Sequence, residues 1–99
     1  MKKILFASVL LASSVFGHTA LMSCFDNGDN TITCEGGFSD GSTAKGVKFK
    51  VLQNDKIIVE GKMNEDSEYT FNKPKGDFEA LFDAGPGHQV TVKSGDISE

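Results

Sequence analysis

Apolar and polar residues alternate in short runs along almost the whole chain after residue 18. Val47, Phe49 and Val51 share one side of such a run, and a later run repeats the pattern at positions 78, 80 and 82. A period of two is the spacing of side chains on one face of a β-strand, and helical spacing is absent from this region. Clusters of turn-forming residues separate about seven runs. The pattern predicts an all-β fold, a small antiparallel β-sandwich of about seven strands, of the immunoglobulin-like or transthyretin-like kind.

The two cysteines lie on either side of one turn cluster, residues 26–30. A hairpin centred in this cluster sets Cys24 opposite Cys34 and Asp26 opposite Ile32. Both cysteines then point to the same face, as a cross-strand disulfide requires. We therefore expect a Cys24–Cys34 disulfide, worth on the order of 2–3 kcal/mol in the chain-entropy model. The alternative, a pair of thiolate metal ligands, lacks the CxxC spacing of common zinc and redox sites.

Glycine, proline, asparagine and aspartate mark the other expected strand ends. We expect breaks at residues 36–37 and 39–42, a hairpin turn at 54–55, and further turns at 64–66, 73–76 and 85–87. No regular helix is expected between them.

Residues 1–17 have the features of a secretory signal peptide. Two lysines precede an apolar run, and Val15 and Gly17 occupy the small-residue positions that a signal peptidase reads. Cleavage after Gly17 makes His18 the first residue of a periplasmic or secreted protein. Residues 18–99 are then expected to form a single β-sandwich domain, in a compartment where disulfides form.

Two membrane alternatives remain open at this stage. An uncleaved signal would serve as an anchor, although its apolar run is short for that role. Alternatively, the residues before Cys24 loosely resemble a lipoprotein box, and acylation of Cys24 would discard His18 and leave Cys34 without a partner. Met22 fits such a box poorly, so we expect no lipid anchor. No later stretch is long and apolar enough to span a bilayer.

Charge and motif content exclude several classes of function. After residue 17 the chain has eight lysines, no arginine and fourteen carboxylates, a formal charge of −6. Because no basic stripe is available to meet phosphates, we expect no nucleic-acid binding. An acidic surface raises the local concentration of cations without selecting one. The chain has no serine elbow, no free catalytic cysteine and no marked acid pair, so we expect that it is not an enzyme.

The two histidines offer the most specific chemistry in the chain. A terminal His18 carries an α-amine and an imidazole, and the imidazole of His88 completes a three-nitrogen histidine brace that suits late first-row divalent metal ions. Met22 offers a soft thioether, or fills the core. Asp83 either accepts a hydrogen bond that orients the imidazole of His88, or caps the turn. The competing interpretations are a solvated chain end for His18 and a turn-flanking, backbone-bonded His88.

Several stretches of the sequence also carry a family resemblance. These are CEGGFSDGS at 34–42, VEGK at 59–62, NE at 64–65, YTF at 69–71 and FDAGPGH at 82–88. Together they resemble small periplasmic accessory components of nickel and cobalt importers of the energy-coupling-factor type. The middle section is also similar to carboxypeptidase-regulatory-like and transthyretin-like β-sandwiches. The glycine-flanked histidine at 83–88 is the most specific part of the resemblance.

The resemblance implies capture of nickel or cobalt outside the membrane and delivery to a membrane importer component. His88 matches a functional position of the family, as does His18 if cleavage follows Gly17. Relatives of this type often continue into a membrane helix, whereas this sequence stops at Glu99, so we expect docking to a separate partner. Two alternatives stay open: a periplasmic copper-binding carrier with a histidine brace, because intrinsic affinity favours copper, and a non-metal adhesion or interaction module.

Overall fold

The computed structural model describes residues 19–97, so the expected signal peptide and His18 lie outside the described residues. Within 19–97 the chain forms seven strands and one 3₁₀ turn. They are β1 (Ala20–Asp26), β2 (Thr31–Phe38), β3 (Lys48–Gln53), β4 (Lys56–Lys62), β5 (Glu68–Asn72), β6 (Glu79–Asp83), β7 (Gln89–Lys93) and the 3₁₀ turn Ser94–Asp96. No helix in this part of the chain is long and apolar enough to cross a membrane.

The strands form two antiparallel sheets. One has the order β1-β2-β5 and the other the order β4-β3-β6-β7, and inward-facing side chains of both sheets form a common core. The expected all-β fold, a small antiparallel sandwich of seven strands, is therefore confirmed. In the constant-type immunoglobulin arrangement the fourth strand lies in the sheet of the first, second and fifth strands; here it pairs with β3 instead.

The turn between β3 and β4 explains that pairing. It consists of only Asn54 and Asp55, which have φ angles of 53° and 65°. Two consecutive left-handed residues are the requirement of a type I′ turn, which closes a two-residue β-hairpin. The sequence expectation of a hairpin at 54–55 is thus confirmed, and it keeps β4 at the edge of the four-stranded sheet.

Aromatic rings join the two sheets at the centre of the core. Phe49 of β3 stacks on Tyr69 of β5 with ring centroids 4.5 Å apart, and its ring also meets Phe71 at 5.7 Å. Phe49 and Phe82 are fully buried. Burying such side chains supplies most of the driving force for folding a domain of this size. The buried set is Cys24, Ile32, Cys34, Ala44, Phe49, Val51, Met63, Phe71, Phe78, Ala80 and Phe82.

The first hairpin has the register that the sequence predicted. Cys24 lies opposite Cys34 and Asp26 lies opposite Ile32 in the β1–β2 pair. The two cysteines form a disulfide, with their Cα atoms 4.0 Å apart. This Cα distance is shorter than the roughly 4.5 Å of the closer type of antiparallel pair, in which side chains approach each other. A disulfide is compatible with export to an oxidising compartment.

The expected strand break at residues 36–37 is wrong. Strand β2 continues through Gly36 and Gly37 to Phe38. A Cβ atom on Gly36 would overlap the buried ring of Phe82 and lie 3.2 Å from the methyl group of Met63. Gly36 is therefore required for the close approach of the two sheets, and it makes no turn.

A β-bulge shapes the exposed edge of the four-stranded sheet. Val59 lies opposite Val51 and Ile57 opposite Leu52, so Ile58 is the extra residue on β4. Ile57 and Ile58 are 50% and 44% exposed. Bulges interrupt the regular hydrogen-bonding edge that another strand would join. The alternation of apolar and polar residues does not indicate this bulge.

Candidate metal centre

A glycine-rich turn positions His88 directly before β7. The N–H of Ala84 donates to the carbonyl oxygen of His88 at 3.0 Å, and the N–H of His88 donates to the carbonyl oxygen of Gly85 at 2.9 Å. Gly85 and Gly87 have φ angles of 109° and 79°, which a residue with a Cβ atom rarely adopts. These two hydrogen bonds fix the backbone of His88 relative to the end of β6. The turn itself lies at residues 85–87, where the sequence predicted one.

The side chain of His88 is half-buried and contains an unpaired polar atom. Its Nδ1 is sheltered from water and has no hydrogen-bond partner among the described residues. A buried polar atom without a partner costs roughly 1–3 kcal/mol. A metal ion coordinated by this nitrogen would remove that cost, because neutral imidazole nitrogen is a common metal ligand. His88 thus fits the role of one nitrogen ligand.

His88 lies at the same end of the sandwich as the start of β1, which we call the brace end. Strand β1 begins opposite Phe38, the last residue of β2. The ring of Phe38 packs on that of Phe82, with centroids 5.7 Å apart, and Phe82 lies opposite Val90 near the start of β7. Strands β1 and β7 are also in contact. The described chain therefore begins, at Thr19, at the end of the sandwich that carries His88.

The residue proposed to complete the brace, His18, lies outside the described residues, one position before Thr19. Among residues 19–97 no group of three or more histidine, cysteine, aspartate or glutamate side chains comes together in a way that could hold a metal ion. The described part of the site therefore contributes a single imidazole, and the brace hypothesis depends on the two nitrogen donors of a terminal histidine.

Met22 lies on the inner face of β1, opposite Gly36. Its side chain is partly buried and packs against the core cluster. The thioether therefore lies in an apolar environment, and packing there is what a methionine ordinarily provides.

Asp83 is the last residue of β6, and one oxygen of its carboxylate orders the turn. One oxygen, Oδ1, accepts hydrogen bonds from the backbone N–H of Gly85 and from the side-chain amide of Gln89, both at 3.0 Å. These two bonds, together with the positive charges of Lys50 and Lys48, lower the pKa of Asp83 below its ordinary value. Its observed partners are those of a turn cap, so any influence on His88 passes through the turn backbone.

The structure also reveals a carboxylate pair that sequence reasoning missed. Glu35 of β2 and Glu68 of β5 lie directly opposite each other on the outer face of the three-stranded sheet. Desolvation and the facing carboxyl of Glu35, with a smaller effect of Asp66, raise the pKa of Glu68. Predicting this pair would require the register in which β2 pairs with β5. The alternation of apolar and polar residues does not provide that register.

No protein-family profile, no curated protein and no solved structure matches this chain.

Proposed function

We propose that the exported protein captures a divalent transition metal ion, nickel or cobalt, and passes it to a membrane importer component. The metal is bound by the α-amine and imidazole of His18 and by the imidazole of His88. The protein binds and transfers the ion and catalyses no reaction. The observation that most supports the proposal is the sheltered, unpartnered Nδ1 of His88 at the brace end, where the described chain begins.

The chemistry of the donor set suits this role. Three nitrogen ligands bind late first-row divalent ions well, and a site at the rim of a sandwich leaves further coordination positions open to a second protein. An amine and an imidazole bind metal only when deprotonated. We therefore expect metal binding to release protons and affinity to fall as the pH is lowered.

Isothermal titration calorimetry of the mature chain with Ni²⁺ or Co²⁺ tests the proposal. The chain must begin at His18 with a free amine, and we expect one ion bound per chain. Replacing His88 with alanine, or adding one glycine before His18, should abolish this stoichiometric binding. The added glycine keeps both imidazoles and moves only the amine, so it isolates the chelate of the terminal residue.

Thr91→Ala is a matched control, because Thr91 is an exposed residue of β7 and lies away from the turn that carries His88. This variant should bind the metal as the unaltered chain does. Unchanged binding by the His88→Ala variant, or no binding by the unaltered chain, would overturn the proposal. In cells, His88→Ala should fail to restore metal accumulation at limiting external metal.

Competition among divalent metal ions decides which ion occupies the site. An all-nitrogen site is expected to bind Cu²⁺ more tightly than Ni²⁺ or Co²⁺. A nickel or cobalt function therefore depends on which ion the compartment supplies and on which ion the importer accepts. If cells that lack the protein lose copper handling and keep nickel and cobalt uptake, the protein is a copper carrier and not an accessory component of a nickel or cobalt importer.

A second candidate function, a non-metal interaction module, is favoured by one observation. Two adjacent large apolar side chains, Ile57 and Ile58, are exposed on the edge strand β4. Contiguous exposed apolar surface is what protein contacts use, and these two residues are its start on this edge. This candidate predicts that partner binding survives replacement of both histidines and is lost when Ile57 and Ile58 are replaced with polar residues.

A further inference from the structure

Two pairs of like charges lie on opposite outer faces of the sandwich. Glu35 and Glu68 are direct partners in the β2–β5 register, on the outer face of the three-stranded sheet. Lys48 and Lys62 are direct partners in the β3–β4 register, on the outer face of the four-stranded sheet. Like charges directly opposite each other destabilise a sheet. Among residues 19–97 neither lysine forms an ion pair, so both can bind carboxylates of another molecule.

An apolar side chain lies beside each pair at the same offset. Phe25 of β1 lies one strand beyond Glu35 and two residues farther from the brace end. Leu81 of β6 lies one strand beyond Lys48 and two residues farther from the brace end. A strand spacing of about 4.8 Å and a rise of about 3.4 Å per residue place each apolar residue about 8 Å from its charged neighbour. Both are partly exposed and lie outside the buried core.

The two groups of residues also have the same handedness. Tyr69 of β5 stacks on Phe49 of β3, and β1 contacts β7, so the two sheets run across the sandwich in the same direction. In each sheet the step from the charged pair to the apolar residue therefore points toward the same side of the molecule. A second copy that is shifted onto the first, without being turned over, brings each group onto its complement.

Three complementary pairs meet in this arrangement. They are Glu68 with Lys62, Glu35 with Lys48, and Phe25 with Leu81. The pairs around them are Ser23 with Asp83, Thr33 with Lys50, and Thr70 with Glu60. In none of these pairs does a carboxylate meet a carboxylate or a lysine meet a lysine. Charge complementarity of this kind selects the partner and fixes the register of an interface.

We propose that copies of this chain stack on one another, the outer face of the three-stranded sheet of one copy packing on the outer face of the four-stranded sheet of the next. The occupant is a second copy because one chain carries both complementary faces, with matching spacing and handedness. Sheets pack face to face with their strands within about 30° of each other. The interface is heterologous and a shift does not close, so the stack can grow beyond two copies. Three short strands offer a small contact area, so the association is weak.

Two charge-reversed variants of the exported protein test the stacking by analytical ultracentrifugation between micromolar and millimolar concentration. EDTA is present throughout, so that bridging by metal ions is excluded and the result is independent of metal capture. The first variant carries Glu35→Lys and Glu68→Lys, and the second carries Lys48→Glu and Lys62→Glu. Thermal unfolding of each variant confirms that the fold is retained.

A matched control carries Lys56→Glu and Lys75→Glu. Both lysines are exposed and lie at the end of the sandwich opposite the brace end, in or beside the turns that follow β3 and β5. Their reversal changes the formal charge as much as the second variant does. A neutral variant, Glu35→Gln with Glu68→Gln, removes the repulsion within the sheet and therefore tests the same contact in a chain that keeps its fold.

We expect the mass of the unaltered chain and of the control to rise with concentration. Each reversed variant alone should remain monomeric, because like charges that meet at an interface weaken association by about a hundredfold or more. An equimolar mixture of the two reversed variants should associate again, because opposite charges meet at every contact between unlike variants. The neutral variant should associate more weakly than the unaltered chain.

An unaltered chain that stays monomeric at every concentration would refute the stacking, and the two faces would then serve other partners. Association of either reversed variant alone, undiminished association of the neutral variant, or a mixture that stays monomeric would show that these charged pairs do not meet. Loss of association in the control would also overturn the proposal, because net charge would then account for the result.

Discussion

Reduction of the Cys24–Cys34 disulfide should remove a large part of the stability of this domain. The bond joins residues ten positions apart in one hairpin. In the chain-entropy model a loop of that length reduces the entropy of the unfolded chain by an amount worth about 2.7 kcal/mol at 25 °C. Domains of about 80 residues typically have a free energy of unfolding near 4–12 kcal/mol. The cross-link is therefore expected to account for between about a fifth and about two thirds of the total.

Urea unfolding of the mature chain, with and without a reducing agent, measures this contribution. For denaturant slopes of about 1–3 kcal/mol per molar, a loss of 2.7 kcal/mol lowers the midpoint by about 1–3 M. Both cysteines are buried, so the reduced thiols remain in the core and the comparison isolates the covalent bond. A chain with Cys24 and Cys34 both replaced by alanine is the control, and its midpoint should not respond to the reducing agent.

A reduced protein that loses less than about 1 kcal/mol would refute this reasoning. That result would mean that the unfolded chain already keeps the hairpin closed, since the bond would then remove little entropy.

Two further predictions concern residues whose environment only the structure reveals. Gly36→Ala should lower the free energy of unfolding by about 1–3 kcal/mol, because the new Cβ atom would lie 2.8 Å from Cδ1 of the buried Phe82 ring. Gly37→Ala is the control and should leave the free energy of unfolding unchanged, because its Cβ atom meets only a carbonyl oxygen at 3.9 Å. Equal urea midpoints for the two variants would contradict the packing explanation. Glu68→Gln should raise the melting temperature at neutral pH. The pKa of Glu68 is raised beside Glu35, so folding favours the protonated form of this carboxyl. Its contribution to the free energy of unfolding is fully present below the unfolded-state pKa of about 4.3, and it is lost as the pH rises through the folded-state pKa. A melting-temperature gap that fails to close in acid would contradict this assignment.

The sequence predicted the first hairpin in detail because local features fix it. Five turn-forming residues separate two alternating runs, and the two cysteines must share a face to bond. Those constraints define a single register, which is the one observed for Cys24 and Cys34. The turn at Asn54 and Asp55 was predictable for the same reason, since that dipeptide tolerates two left-handed residues.

Gly36 shows where such reasoning fails. Glycine serves both turns and places where a neighbouring group comes too close for a Cβ atom, and local sequence does not distinguish the two uses. The neighbour in this case is Phe82, a residue of the other sheet. The β-bulge at Ile58 was missed for a related reason, because it depends on how β3 and β4 align.

The candidate site was predictable only in part. The glycines at 85 and 87 indicated a turn directly before His88 and placed His88 at the start of the last strand, whereas β7 begins one residue later, at Gln89. The burial of its Nδ1 and its place at the same end as Thr19 depend on which sheet each strand joins. Periodicity reports which side chains share a face of one strand, and it gives no order of strands in a sheet.

Native mass spectrometry of the exported protein measures its first residue and its bound metal ion together. We expect a chain that begins at His18, is two hydrogens lighter than its reduced mass because of the disulfide, and carries one nickel or cobalt ion that His88→Ala removes. A chain that retains residues 1–17, or a lipid-bearing chain that begins at Cys24, would rule out the terminal-histidine chelate because the terminal amine of His18 would be absent. A chain that begins at His18 and binds no metal ion would refute metal capture equally.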